Sequence, residues 1–195
     1  LARLADYIVC GEGEAVFAKL CGDLLDGHSP DQKVLQGTAP PMAELASPYR
    51  LYTDEDIAQR VIYVEASRGC PYRCQFCLSS LDKAVRAVDP DAFFRDLDDL
   101  IERGARDFKF IDRTFNLNIS FSLSILEFFL NHRTQGFTLH FEMVPDRLPE
   151  KLRDALQRFP PGVVQLEIGI QTFNPEVSKR IERPQRIERI TDNLS

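Results

Sequence analysis

The stretch Val61-Ile62-Tyr63-Val64-Glu65-Ala66-Ser67-Arg68-Gly69-Cys70-Pro71-Tyr72-Arg73-Cys74-Gln75-Phe76-Cys77 joins two signals. Val61 to Ala66 has the apolar, β-branched texture of a buried strand. It runs directly into a loop with three cysteines at C-x3-C-x2-C. Sites in parallel α/β proteins form where strands end and loops begin. Three thiols at such a place point to a metal centre. The chain has five cysteines, three of them within these last eight residues. That is a poor disulfide framework and a good ligand pattern, so a reducing cytoplasm is expected.

Downstream, strand-like and helix-like segments alternate. Pro90 to Arg103 reads as a helix, with Phe93, Phe94, Leu97, Leu100 and Ile101 on one face. Asp107 to Ile111 is a strand, Phe121 to Arg133 a helix, and Thr138 to Met143 a third strand. Glu150 to Phe159 is a helix, Val163 to Ile170 a fourth strand, and Pro175 to Glu182 a helix. A last amphipathic stretch begins near Gln185. Such alternation predicts βαβ units on a parallel sheet, in α/β class. A closed eight-unit barrel takes about 250 residues, or about 31 per unit. Residues 61–195 therefore hold about four units, too few to close a barrel.

Upstream, Ala5 to Val9 reads as a strand, Gly11-Glu12-Gly13-Glu14 as a turn, and Glu14 to Leu25 as a helix. Its apolar face would carry Phe17, Leu20, Cys21, Leu24 and Leu25. The following stretch, with Pro30, Pro40, Pro41 and Pro48, reads as a linker. The chain starts at Leu1 and stops inside a helical stretch, so a fragment of a longer protein is expected.

The 195 residues include 24 basic and 30 acidic side chains, for a net charge of −6. An acidic balance argues against a broad nucleic-acid or anionic-membrane footprint and leaves room for a small basic pocket. No apolar run approaches the ~20 residues that span a bilayer.

Three readings of the cysteine loop compete. Structural zinc wants four ligands, and no fourth follows at knuckle spacing. An electron-transfer cluster of the ordinary ferredoxin kind also takes four cysteines. A cluster held by three leaves one iron open, and an open iron means chemistry.

With Phe76 just before the last cysteine, the loop resembles the radical S-adenosylmethionine (SAM) superfamily. The resemblance implies a partial (β/α)6 TIM-like barrel, truncated after about four βα units. It implies that Cys70, Cys74 and Cys77 hold three irons of a 4Fe–4S cluster. SAM would chelate the fourth iron and be cleaved reductively to methionine and a 5′-deoxyadenosyl radical. A reductant such as flavodoxin or ferredoxin is implied as a partner, with a substrate that the sequence leaves unnamed. The protein's part is to hold cofactor and substrate in reach and to exclude water.

The same resemblance assigns further roles. Phe76 would pack beside the adenine. Where many members carry a glycine-rich turn after the second strand, this chain has Asp112-Arg113-Thr114. Asp112 or Thr114 would then reach the SAM amino group by side chain. Glu142 and Glu167, on the third and fourth strands, are candidates for the SAM ribose or amino group. Each is equally a solvated strand end or an ion-pair partner. Gly169-Ile170-Gln171-Thr172, followed by Lys179-Arg180-Ile181-Glu182-Arg183, resembles a stretch of the coproporphyrinogen oxidase-like members. That puts Gln171 on the SAM ribose and Arg183 on its carboxylate, a pairing a guanidinium suits. The competing reading of Arg183 is a solvated helix end among Arg180, Arg186 and Arg189. Ser79, Ser80, Arg113 and Asn116 sit in strand-end loops, where they either face a substrate or fix loop backbone.

Asp6 to Glu14 (DYIVCGEGE) resembles the last strand and turn of the cobalamin-binding domain fused ahead of many radical SAM enzymes. The runs Glu65 to Cys70, Cys77 to Asp82 and Phe141 to Arg147 resemble an uncharacterised bacterial group. That group combines such a domain, a radical SAM core and a C-terminal domain of unknown function. The implied organisation is a cobalamin-binding-like remnant at 1–28, a linker at 29–60, and the N-terminal part of the radical SAM core at 61–195. Cobalamin is thereby a candidate cofactor of the longer protein.

Overall fold

A computed structural model describes residues 3–82, 84–132 and 136–194. The chain forms two compact units, Leu1–Ala46 and Ser47–Ser195.

In the first unit, β1 (Ile8–Cys10) leads into α1 (Glu14–Leu25). A second strand, β2 (Val34–Gln36), returns parallel to β1 with Ile8 opposite Val34. The turn after β1 and the end of β2 meet backbone to backbone. The Gly37 N–H donates to the Cys10 carbonyl at 2.7 Å. A Cβ on Gly37 would lie 2.0 Å from the Glu12 carbonyl oxygen, so the approach requires glycine there. Of the expected apolar face of α1, Leu20 is buried, whereas Phe17 and Leu25 are exposed.

Residues 29–60, expected as linker, carry more structure than that. They contain β2, single 3-10 turns at Met42–Glu44 and Tyr49–Leu51, and the helix α2 (Asp54–Gln59). A three-residue strand is too short to show a period. The start of α2 is a capping box. Thr53 Oγ1 accepts from the Asp56 N–H at 3.1 Å, and Asp56 Oδ2 accepts from the Thr53 N–H at 3.0 Å.

The second unit continues with β3 (Ile62–Val64) and a two-stranded hairpin of β4 (Ser67–Arg68) and β5 (Arg86–Ala87). Then come α3 (Pro90–Glu102), β6 (Asp107–Phe110), α4 (Ile119–Asn131), β7 (Thr138–Met143) and α5 (Glu150–Gln157). The chain ends with β8 (Val164–Ile168), α6 (Pro175–Arg180) and α7 (Ile187–Leu194). Arg133, the expected end of the second helix, lies outside the described residues. Helix starts follow local chemistry. Asp89 Oδ1 accepts from the Ala92 N–H at 2.8 Å with Pro90 at the first helical position of α3.

The strands form one parallel sheet in the order β3-β6-β7-β8. Side chains alternate across it. Ile62, Val64, Phe108, Phe110, Leu139 and Phe141 are buried in one core with Leu97 of α3, Leu126 and Phe129 of α4, and Leu152 of α5. Each such side chain contributes about 1.5–3 kcal/mol on burial. Phe141 anchors an aromatic stack, 4.6 Å from Phe110 and 4.1 Å from Phe115 between ring centroids. The alternate residues Tyr63, Lys109, His140, Glu142, Gln165 and Glu167 stand on the other face and stay half-buried or exposed. The sheet thus turns its apolar face to helices and a polar, ionisable face away from them. Among the described residues no helix is long and apolar enough to cross a membrane.

Candidate metal and cofactor site

The cysteine loop leaves the C-terminal end of β3 and is framed by the β4–β5 hairpin. Gly69 sits at φ +98°. The Cys70 N–H donates to the Asp82 carbonyl at 3.1 Å, which closes the loop onto its returning arm. Inside it, the Cys77 N–H donates to the Cys74 carbonyl at 3.0 Å, and Ser80 Oγ donates to the Cys77 carbonyl at 2.7 Å. Cys70 and Cys74 are buried and Cys77 is half-buried, all as free thiols. Phe76 is 57% exposed at the loop surface.

Asp112, at the end of β6, anchors the strand exit upstream of the cysteines. Its Oδ2 accepts from the Ala66 N–H at 2.9 Å and its Oδ1 from Ser67 Oγ at 2.6 Å. The residue is 3% exposed. Both oxygens are therefore engaged within the chain, by the exit of β3. Tyr49 fixes the next residue along β3's exit: its hydroxyl accepts from the Glu65 N–H at 2.9 Å. Arg68 braces the same corner, its Nη2 on Glu65 Oε2 at 2.7 Å. Thr114 is also buried, and its hydroxyl donates to the Arg113 carbonyl at 2.6 Å.

Burial is the largest effect on Asp112 and raises its pKa from 3.8 to about 6, against the hydrogen bonds from Ser67 and Ala66. The folded chain thus holds a proton that the unfolded chain has already released. This group's contribution to stability is complete below pH 3.8 and is lost as pH rises through about 6. In Asp112→Asn the amide oxygen still accepts from Ala66 and the titration is gone. Wild type is expected to lose about 2 kcal/mol more than Asp112→Asn between pH 4 and 7 in urea unfolding. Equal pH slopes for the two proteins would refute the assignment.

The loop after β8 supplies the other wall. Gln171 is exposed at φ +60°, and the Thr172 N–H donates to the Ile170 carbonyl at 2.6 Å around it. A left-handed residue other than glycine costs of order 1–2 kcal/mol, and such strain clusters at working sites. Asn174 caps α6, accepting from the N–H groups of Glu176 and Val177. Arg183, past the end of α6, is not a solvated helix end. Its Nη2 donates to the Gly169 carbonyl at 2.9 Å and its Nη1 to Cys74 Sγ at 3.5 Å. Its guanidinium carbon lies 5.9 Å from the centre of the Tyr72 ring. Gln75 adds a second tie, its N–H on the Ile181 carbonyl at 3.1 Å and its Nε2 on Glu182 Oε1 at 3.3 Å.

The structure brings Glu142 and Glu167 together. They are directly opposed in the β7–β8 register, on the sheet's polar face. His140 Nε2 lies 3.2 Å from Glu167 Oε2. Asn116, a candidate for facing substrate, is instead fully buried. It accepts from the Val144 N–H and donates to the Val144 and Arg147 carbonyls, clamping the loop after β7. Sequence reasoning passed over Tyr72 and Gln75. Both lie between the candidate ligand cysteines, but their partners sit about a hundred residues away, at Glu182 and Arg183.

Among the described residues, no three His, Cys, Asp or Glu side chains converge on a single-ion site. Arg183 offers its Nη1–H to Cys74 sulfur, a charge-assisted donor to the thiolate form that binds metal. Its Nε–H is buried with no protein partner.

A family model described as the Radical SAM superfamily matches residues 64–195. A ribosomal protein uS12 methylthiotransferase of Gloeothece citriformis is 24% identical over 151 residues, covering 70% of this chain and 34% of the relative. An uncharacterised methyltransferase of Pyrococcus horikoshii is 30% identical, covering 88% of this chain and 41% of the relative. The chain thus spans about two fifths or less of these relatives. Two structures of the radical SAM methyltransferase TsrM from Kitasatospora setae share the fold. One, with cobalamin and a [4Fe-4S] cluster bound, superposes with TM-score 0.56 at 18% identity over 69% of this chain and 28% of TsrM. The other, with tryptophan substrate and the SAM analogue aza-SAM bound, gives 0.67 at 14% identity over 95% and 42%. The match extends from the end of β3 through the cysteine loop and every later βα unit, and on it this chain belongs to the radical SAM superfamily.

Proposed function

We propose that the chain is part of a radical SAM enzyme that acts in methyl or methylthio transfer. Cys70, Cys74 and Cys77 hold a 4Fe–4S cluster, and SAM lies in the crevice between the cysteine loop, the polar sheet face and the Gln171–Arg183 loop. When bound, this pair would supply one-electron reductive chemistry at the SAM sulfonium. The relatives' names support a reading in methyl chemistry, in which cobalamin, held by the domain to which the first unit belongs, is the methyl carrier. Flavodoxin or ferredoxin supplies the electron.

One observation carries the assignment. Arg183 touches Cys74 sulfur and the carbonyl at the exit of β8 at once. A single guanidinium thus joins the cluster loop to the loop expected to hold the SAM carboxylate. The chain's own work is positional: Arg183 orients a carboxylate, Asp112 and Tyr49 fix the strand exit, and the Gln171 turn presents its amide to a ribose.

The test is anaerobic reconstitution of the full-length protein. About four irons per chain, a SAM-dependent change in the reduced cluster's EPR spectrum, and 5′-deoxyadenosine with dithionite and SAM are expected. Stoichiometric zinc without iron uptake would overturn the proposal.

A further inference from the structure

We propose that the cavity between the β7–α5 loop and α7 is an oxyanion-binding subsite for a small molecule carrying a phosphate or carboxylate group. The cavity has a volume of about 840 Å³, within the roughly 300–1,000 Å³ of small-ligand sites. Four arginines line it: Arg147 from the loop after β7, Arg153 from α5, and Arg186 and Arg189 from the entry and body of α7. Two aspartates, Asp146 and Asp192, share the lining, so the cations outnumber the anions in a chain whose net charge is −6. Among the described residues Arg147, Arg186 and Arg189 form no ion pair with a carboxylate. Arginine forks left in this state match the geometry of oxyanions.

The walls are built rather than incidental. Asn193 on α7 accepts from Arg153 Nη2 at 2.8 Å and donates to the Pro145 carbonyl at 2.7 Å. Asp146 Oδ2 accepts from the Arg186 N–H at 3.3 Å. The Asn193–Pro145 and Arg186–Asp146 contacts tie α7 and the residue before it to the loop that Asn116 clamps. Gln185 is held by its Nε2 on the Ile170 carbonyl at 2.7 Å. Two polar atoms of the lining residues are buried and unpartnered, Arg153 Nε and Gln185 Oε1. Tyr72, two residues past Cys70, forms part of the same lining, so the cavity borders the cysteine loop. The inference rests on the proposed function only in calling the occupant a substrate.

The test is titration calorimetry on the full, anaerobically reconstituted protein, with inorganic phosphate and with glutarate, and with neither reductant nor SAM. Saturable binding of at least one probe is expected. Arg189→Gln and Arg147→Gln, exposed residues on opposite walls, should each weaken it about tenfold. Arg60→Gln, a surface arginine beside Asp56 on α2, should leave it unchanged. Tighter phosphate binding assigns a phosphate ester, and tighter glutarate binding a carboxylate. The proposal is overturned if neither probe saturates or if both wall variants bind like wild type. It is also overturned if SAM competes with the probe, which would make the cavity part of the SAM site, or if an RNA oligomer displaces both probes. Phosphate binding without SAM cleavage would sink the proposed function and leave this subsite standing.

Discussion

Gly69→Ala is expected to abolish iron loading while leaving the α/β unit folded. Gly69 sits at φ +98°, a region that L side chains rarely enter. An alanine Cβ there would lie 2.1 Å from the Ala84 carbonyl oxygen and 3.0 Å from its carbon. Both are backbone atoms of the arm returning to β5, so no side-chain rotation relieves the clash. Relief requires the two arms to part. That breaks the bond from the Cys70 N–H to Asp82 and the pairing of Arg68 with Arg86, and it moves Cys70. The core of β3, β6, β7 and β8 lies outside this hairpin. Far-UV circular dichroism should therefore stay near wild type, while bound iron falls at least about tenfold, since ligand placement governs metal affinity. Gly104→Ala is the control. Its φ is also positive, at +105°, but nothing lies within 4 Å of the added Cβ. It should cost about 1 kcal/mol of stability and no iron. Full iron loading of Gly69→Ala would show that the hairpin does not set the cysteine geometry.

Much of this frame is legible in the sequence, because the strands and helices of the second unit are long enough to show their period. Pro90 to Glu102 carries a capping aspartate, a first-turn proline and apolar residues three and four apart, and it folds as that pattern dictates. β7 spans the expected Thr138–Met143. The pieces that escaped depend on distant partners. β2 and the β4–β5 hairpin are two or three residues long, and their pairing defines them, not their composition. Asp112 reads as a strand-end carboxylate facing a ligand. Only the fold shows that it meets Ala66 and Ser67, 46 and 45 residues upstream. Arg183 reads as one arginine among several until Cys74, 109 residues away, is seen against it. A cysteine spacing announces a ligand set, but the residues that hold the ligands still are recruited through the sheet.

Cys74→Ala and Arg183→Ala are expected to fail at different steps, and the difference tests the site as a whole. Cys74 is 4% exposed and central among the three thiols. Without it a cluster has two protein ligands in one loop, too few to hold four irons, and both iron content and SAM cleavage should fall to background. The fold should persist, because alanine in a loop removes no strand contact from the sheet core. Arg183 makes no metal bond. Its loss frees the Gly169 carbonyl and removes the guanidinium from Cys74 sulfur and from the Tyr72 ring. Iron should load close to four per chain, whereas SAM binding should weaken by about ten- to a hundredfold, as for a charge-assisted contact worth about 1.5–3 kcal/mol. The two variants therefore separate on one pair of measurements, iron content and the SAM-dependent change in the EPR spectrum. Arg183→Lys keeps the charge and loses the fork, and it should restore little SAM affinity, because a carboxylate held bidentately needs two parallel N–H donors. If Arg183→Ala loses iron as completely as Cys74→Ala, the arginine is a structural brace of the cysteine loop and the SAM carboxylate binds elsewhere.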